Sequence, residues 1–247
     1  MAVVSRANRA AAVAVALTLL VGAGSVAKAQ EGEATPAAPT RAEAWIARIV
    51  GPTVIRREPW GGVLMRIDGR ARWSGGPVGL LVLGTRTDTE GRVWLRVRLP
   101  IRPNGRSGWL RADYVRLSRT RYRIEVSVSR RSVRLLRGGR VQRAYRAVVG
   151  TPFWPTPKGL FAVSERVPQP NPEDFLGPWA LVLTAFSPTL TSYGGGPGQV
   201  ALHGRSGASL SDPLGTAASH GCIRIPNAGI RLLARAAREG TPVQVVP

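Results

Sequence analysis

From Ala44 to about Leu117, glycine and proline cut the chain into β-type runs too short for any long helix, which restricts this stretch to short strands and tight turns. The runs are Trp45–Val50, Gly79–Leu83, Val93–Leu99 and Gly108–Arg111. In the third, Val93, Leu95, Val97 and Leu99 alternate with Trp94, Arg96 and Arg98, so one face of the strand is apolar. Short strands at this spacing predict a small β-barrel over residues 44–118; the bland alternative is an extra sheet layer on the unit that follows. Trp60, Trp73, Trp94 and Trp109 are read as its core or rim.

A second unit, residues 121–247, is also mainly β. Arg123–Val128 and Ser132–Leu136 are strand-like, and Gly138-Gly139 marks a hairpin turn into a strand over 142–149. A proline-fixed loop, Gly150 to Gly159, precedes a strand at Leu160–Val163. Further strands are expected at Ala180–Thr184 and Val200–Leu202, the latter running straight into His203. The loops 168–177 and 191–198 read equally as covers over a cleft or as ordinary surface. One helix comes late: Asn227 is its expected N-cap, Ile230, Leu233, Ala236 and Ala237 recur at helical spacing, and Gly240 fits the C′ position.

The amino terminus reads as an export signal. Arg6 and Arg9 precede an apolar run, Ala10–Ala23, and Ala27-Lys28-Ala29 fits a small-residue cleavage site, giving a signal over 1–29 and a flexible linker over 30–43. The chain then lies outside the cytoplasm, in wall or periplasm, and touches a membrane only if that segment is kept as an anchor. The whole chain carries +21; removing Arg6, Arg9 and Lys28 leaves 21 − 3 = +18, nearly all arginine. Such charge favours a polyanionic partner. For an exported protein that partner is an anionic envelope, not nucleic acid.

Export also makes a single cysteine unusual, because exported proteins use cysteine mostly in pairs. Cys222 is the only cysteine, and the only two histidines, His203 and His220, fall within twenty positions of it. The thiolate is the attacking species, and a free thiol with a pKa of about 8.5 needs a base or an ion-pair partner to supply it at neutral pH. If Ser219 to Arg224 is extended, His220, Cys222 and Arg224 point in parallel, which suits His220 poorly as partner to the sulfur. His203, arriving from another strand, can face it. The pattern therefore assigns Cys222 as nucleophile and His203 as base. A zinc site on the same three residues would lack a fourth ligand and the usual ligand spacings, so neither metal nor cofactor is expected.

His203, fifteen residues, then Ser219-His220-Gly221-Cys222 resembles the signature of the L,D-transpeptidase catalytic domain, the YkuD type. Val149-Gly150-Thr151, Pro155-Thr156-Pro157 and Gly240-Thr241-Pro242-Val243 agree in order. Gly108-Trp109-Leu110 followed by Tyr114-Val115 resembles bacterial SH3-like domains. The resemblance implies a mainly β chain: a small SH3-like β-barrel, then a YkuD-type β-sandwich with one short C-terminal helix. It implies an acyl-enzyme on Cys222, with the Gly204 carbonyl orienting His203. His220, Gly221 and Cys222 would frame an oxyanion site, and Arg224 would meet a substrate carboxylate. The implied partners are peptidoglycan stem peptides, as donor and acceptor. The implied reaction is 3→3 cross-linking of tetrapeptide stems with release of D-alanine, and carbapenems would acylate the same sulfur. The alternatives are an L,D-carboxypeptidase using that nucleophile, or a wall-binding protein whose catalytic domain has decayed.

Overall fold

The computed structural model describes residues 35–192 and 195–247; the expected signal over 1–29 lies outside them. Residues 35–247 form one compact unit built from two large sheets and a two-stranded one. The first contains β1 (Ala44–Ile49), β2 (Thr53–Arg56), β3 (Val63–Ile67), β4 (Gly79–Thr87), β5 (Val93–Arg98), β6 (Ser107–Arg111) and β7 (Val115–Thr120). All its pairings are antiparallel, in the order β3-β2-β6-β5-β4-β1-β7.

The chain changes sheet at Arg121. Next come β8 (Tyr122–Ser127), β9 (Ser132–Arg137), β10 (Arg140–Arg146), β11 (Val149–Gly150), β12 (Gly159–Pro168), β13 (Trp179–Phe186) and β14 (Gln199–His203). They are followed by β15 (Ala217–Ser219), β16 (Ile223–Arg224), α1 (Asn227–Ala236) and β17 (Pro242–Val246). Eight of these strands form one sheet, β10-β9-β8-β17-β12-β13-β14-β16, and β11 pairs separately with β15. Gly138 and Gly139 make the β9–β10 turn with φ of 58° and 78°, values that glycine adopts without the Cβ clash other residues meet.

Each sheet has its own core. Ile55, Leu80, Val82, Leu95, Val97, Leu99 and Leu110 fill the first. Ile124, Val126, Phe161, Leu181, Leu202, Ile223, Ile230 and Leu233 lead the second, where the apolar face of α1 meets β13 and β14. Burying one such side chain contributes about 1.5–3 kcal/mol, which is why the alternation in β5 is obeyed so closely. Trp94 departs from it. It lies on the opposite face yet is buried, its ring edge-on to Trp60 at 5.2 Å and its Nε1 donating to Asp88 at 2.9 Å.

Three expectations need correction. Asn227 is not the N-cap; Pro226 is, and Asn227 is the first helical residue, its side chain turned elsewhere. Gly240 is not at C′. The cap is Ala237, while Gly240, with φ of 84°, donates its N–H to the Val163 carbonyl. The strand expected over 142–149 is two pieces, β10 and β11. The stretch read as a linker has no regular element over 35–43, but it is held: Thr85 donates to the Pro36 carbonyl, Arg123 to the Thr40 carbonyl, and Arg41 pairs with Glu125.

Two further contacts join the sheets, and a third ties the second sheet to the segment after α1. Ala44 and Leu81 pack on Ala162. Glu165 of β12, only 5% exposed, accepts the backbone N–H groups of Arg72, Trp73 and Ser74 at 3.1, 2.8 and 2.9 Å. Arg166 forms an ion pair with Glu239 at 2.9 Å, tying β12 to the chain after α1. Glu165→Ala should therefore lower stability by about 2 kcal/mol, because the three donors lose a charged acceptor where water enters poorly. Urea unfolding followed by tryptophan fluorescence checks this; an unchanged midpoint would show that the carboxylate bears no load.

Candidate active site

The chemistry-bearing residues converge where β14 and β16 lie parallel, with Leu202 opposite Ile223 and His203 opposite Arg224. His203 ends β14 fully buried, and its Nδ1 lies 2.7 Å from the Gly204 carbonyl oxygen. A carbonyl can only accept, so Nδ1 carries the hydrogen and Nε2 presents a lone pair. Nε2 has no hydrogen-bond partner among the described residues.

The Gly204 carbonyl is itself held. Asn227, from the start of α1, accepts the Arg205 N–H at 2.8 Å and donates to Ser206 Oγ at 3.1 Å. A Cβ on residue 204 would come within 2.4 Å of the Asn227 oxygen, so glycine is the residue that permits this approach. Sequence reasoning missed Asn227 as a site residue. It looked like a cap, and no local signal links it to a loop more than twenty residues upstream.

Cys222 does not sit in an extended strand. After Ser219 the chain turns, with Gly221 at a φ of 112°, before resuming at Ile223. Ser219 holds the turn: its hydroxyl donates to the Cys222 carbonyl at 2.5 Å and accepts the Gly221 N–H at 3.1 Å. Thr156, from the proline-fixed loop, donates to the Gly221 carbonyl at 3.0 Å and accepts the Gly150 N–H at 2.8 Å. Trp154 of the same loop packs against the His220 ring, centroids 4.1 Å apart. The continuous extended run expected from Ser219 to Arg224 is thereby broken at Gly221.

The Ala201 N–H donates to the Cys222 sulfur at 3.4 Å. Cys222, His203, His220 and Arg224 line one cavity of about 170 Å³, with Phe175 and Leu176 on one wall and Ser187, Leu190 and Gly198 on another. No hydrogen bond joins Cys222 Sγ to His203 Nε2. Such contacts are often long before substrate arrives and tighten in the complex.

Burial decides the resting charge. It pushes the His203 imidazole down to about 4, against the opposing effect of the Gly204 carbonyl; Arg224 lowers it further and the Leu176 carbonyl opposes. Burial also pushes the Cys222 thiol up, against smaller lowering effects of the Ala201 N–H and Arg224. Both shifts favour the neutral thiol and the neutral imidazole over the ion pair expected to depress the thiol.

Arg224 is 3% exposed and its guanidinium already forms an ion pair with Asp212. It lies 4.7 Å from the Phe175 ring, and Nε has no partner among the described residues. A substrate carboxylate would have to share this arginine with Asp212.

A model of the L,D-transpeptidase catalytic domain (YkuD) matches residues 121–245. A curated protein of Bacillus licheniformis, described as a putative L,D-transpeptidase YkuD, is 34% identical over 126 residues, 51% of this chain and 66% of that protein. The chain thus spans just under two thirds of that relative's length. Among solved structures, one from Bdellovibrio bacteriovorus is 28% identical, covering 51% of this chain and 48% of that one, with a TM-score of 0.39. A mutant L,D-transpeptidase of Enterococcus faecium is 22% identical over 51% and 49%, with a TM-score of 0.38. An L,D-transpeptidase of Mycobacterium smegmatis is 15% identical over 81% and 99%, with a TM-score of 0.42.

The neutral resting pair has a pH signature. With the thiol raised and no imidazolium beside it, alkylation of Cys222 by iodoacetamide should be slow at pH 7 and still climbing above pH 8.5, the free-thiol value. A rate that has levelled off below pH 7 would mean that a thiolate–imidazolium pair already exists.

Proposed function

The chain belongs to the YkuD family of L,D-transpeptidase catalytic domains, and from that premise we propose that it is an exported acyltransferase acting on peptidoglycan stem peptides through Cys222. One observation carries the reading: His203, whose Nε2 has no hydrogen-bond partner among the described residues, lines the same small cavity as the only thiol of the chain.

The donor is a tetrapeptide stem. Cys222 sulfur attacks the carbonyl at the L-centre of its third residue while its proton passes to His203 Nε2. Since the resting pair is neutral, proton transfer and C–S bond formation proceed together. The backbone N–H of Cys222 is the donor for the developing oxyanion. The imidazolium returns its proton to the departing amine, D-alanine leaves, and a thioester remains. The side-chain amine of a second stem then attacks the thioester, His203 takes that proton, and the sulfur leaves to recover it. The product is a 3→3 cross-link; capture by water would give an L,D-carboxypeptidase.

The Gly204 carbonyl matters at each transfer, because it stabilises the imidazolium that burial opposes. Arg224, shared with Asp212, supplies positive charge for a carboxylate of the donor. In this reading the first sheet is an SH3-like domain facing the wall, and the arginine-rich surface keeps the exported chain near anionic polymer.

The test is product mass. With a purified disaccharide-tetrapeptide, the wild-type chain should form a cross-linked dimer that has lost one D-alanine. Cys222→Ala should lower that turnover by roughly 10³-fold or more. A monomer shortened by one D-alanine, with no dimer, would instead identify the hydrolase. Undiminished dimer formation by Cys222→Ala would overturn the assignment of the nucleophile.

A further inference from the structure

The loop between β5 and β6 leaves the first sheet and grips the second. Its root is anchored: Leu99 is buried in the first core, Ile101 packs against that core, and the Leu99 N–H donates to the Arg106 carbonyl at 3.0 Å. From there two side chains reach across. Arg102 donates to the carbonyls of Ser187 and Leu190, each at 2.8 Å, and of Pro197 at 3.2 Å. Its guanidinium also lies 5.0 Å from the Phe186 ring centroid. Asn104 bonds Phe186 twice, accepting its N–H at 2.8 Å and donating to its carbonyl at 2.7 Å, much as a neighbouring strand would.

All five hydrogen bonds go to main-chain groups at the two ends of the β13–β14 connection. Those ends also bind each other, Ser187 N–H to the Gly198 carbonyl at 2.8 Å. Ser187, Leu190 and Gly198 line the cavity that holds Cys222 and His203. The guanidinium therefore stands directly behind the cavity wall. An arginine with a fixed donor fork suits three carbonyls better than any side chain with a single donor point.

We propose that Arg102 and Asn104 are positioning residues for the catalytic cavity: the first sheet, through this loop, holds the wall against which the donor peptide lies. This rests on the acyl-transfer reading of Cys222 for its kinetic consequence, though not for the contact itself. Loss of the brace should leave the bond-making atoms alone and loosen the surface that orients the donor, so KM should change more than kcat.

The experiment uses the exported chain without its signal. In Arg102→Ala, hydrogen exchange at the Ser187 and Leu190 amides should quicken about tenfold while strands β4 and β5 exchange as before. KM for the tetrapeptide donor should rise about tenfold, with kcat within about twofold. Asn104→Ala should act in the same direction, and Arg102→Lys should recover part of the protection. Unchanged exchange at Ser187 and Leu190 overturns the brace, as does quickening spread equally through the first sheet. Quickened exchange with an unchanged KM overturns the positioning role. Exchange needs no turnover, so a wild-type chain that releases no D-alanine refutes the proposed function and still tests the contact. In that case the Cys222 alkylation rate replaces KM: it shifts severalfold in Arg102→Ala if the wall is loosened, and a wild-type rate counts against the role.

Discussion

The site depends on one 2.7 Å contact, between His203 Nδ1 and the carbonyl of the next residue. A buried imidazole without that acceptor would be free to choose its tautomer or turn its ring. With it, the hydrogen is on Nδ1 and Nε2 is left as the acceptor nitrogen. Much of the surrounding chain serves to keep this carbonyl still. Residue 204 has no side chain, so Asn227 can come close, and Asn227 pins residues 205 and 206 from the start of α1. The helix is therefore both a plug for the second core and a support for the His203 ring.

The sulfur is placed by a comparable set of short-range constraints. The Ser219 hydroxyl spans the turn, Thr156 clamps it from the proline-fixed loop, and Gly221 supplies a φ that a side chain would resist. These contacts create a reactive group by geometry, not by charge. Burial works against ionisation of either partner, which favours the protonated thiol and the neutral imidazole. A neutral resting site also limits stray reaction of the free thiol with oxidants, since the thiolate is the vulnerable form.

What was legible in the sequence was whatever depends on local period or rare residues. The alternation from Val93 to Leu99 identifies β5, Gly138-Gly139 locates a hairpin, and the scarcity of cysteine and histidine points to Cys222 and His203. What was not legible depends on contacts between distant segments. Asn227 has the composition of a cap, and only folding reveals that its side chain faces Arg205 and Ser206. The run from Ser219 to Arg224 has an extended pattern, but Ser219 and Thr156 together bend it at Gly221. Trp94 contradicts the alternation because Trp60 and Asp88 give its ring and N–H a second environment. The direction of the Cys222 and His203 shifts is set by burial, which no spacing of residues encodes.

The tautomer and charge of His203 are directly observable by nitrogen-15 NMR of selectively labelled protein. At pH 7 the ring should give one pyrrole-type signal, from Nδ1, and one pyridine-type signal, from Nε2. That pattern should persist as pH falls until about 4, where the imidazole takes its proton. Two equivalent imidazolium-type signals at neutral pH, or the pyrrole-type signal on Nε2, would contradict a neutral base with its lone pair in the cavity.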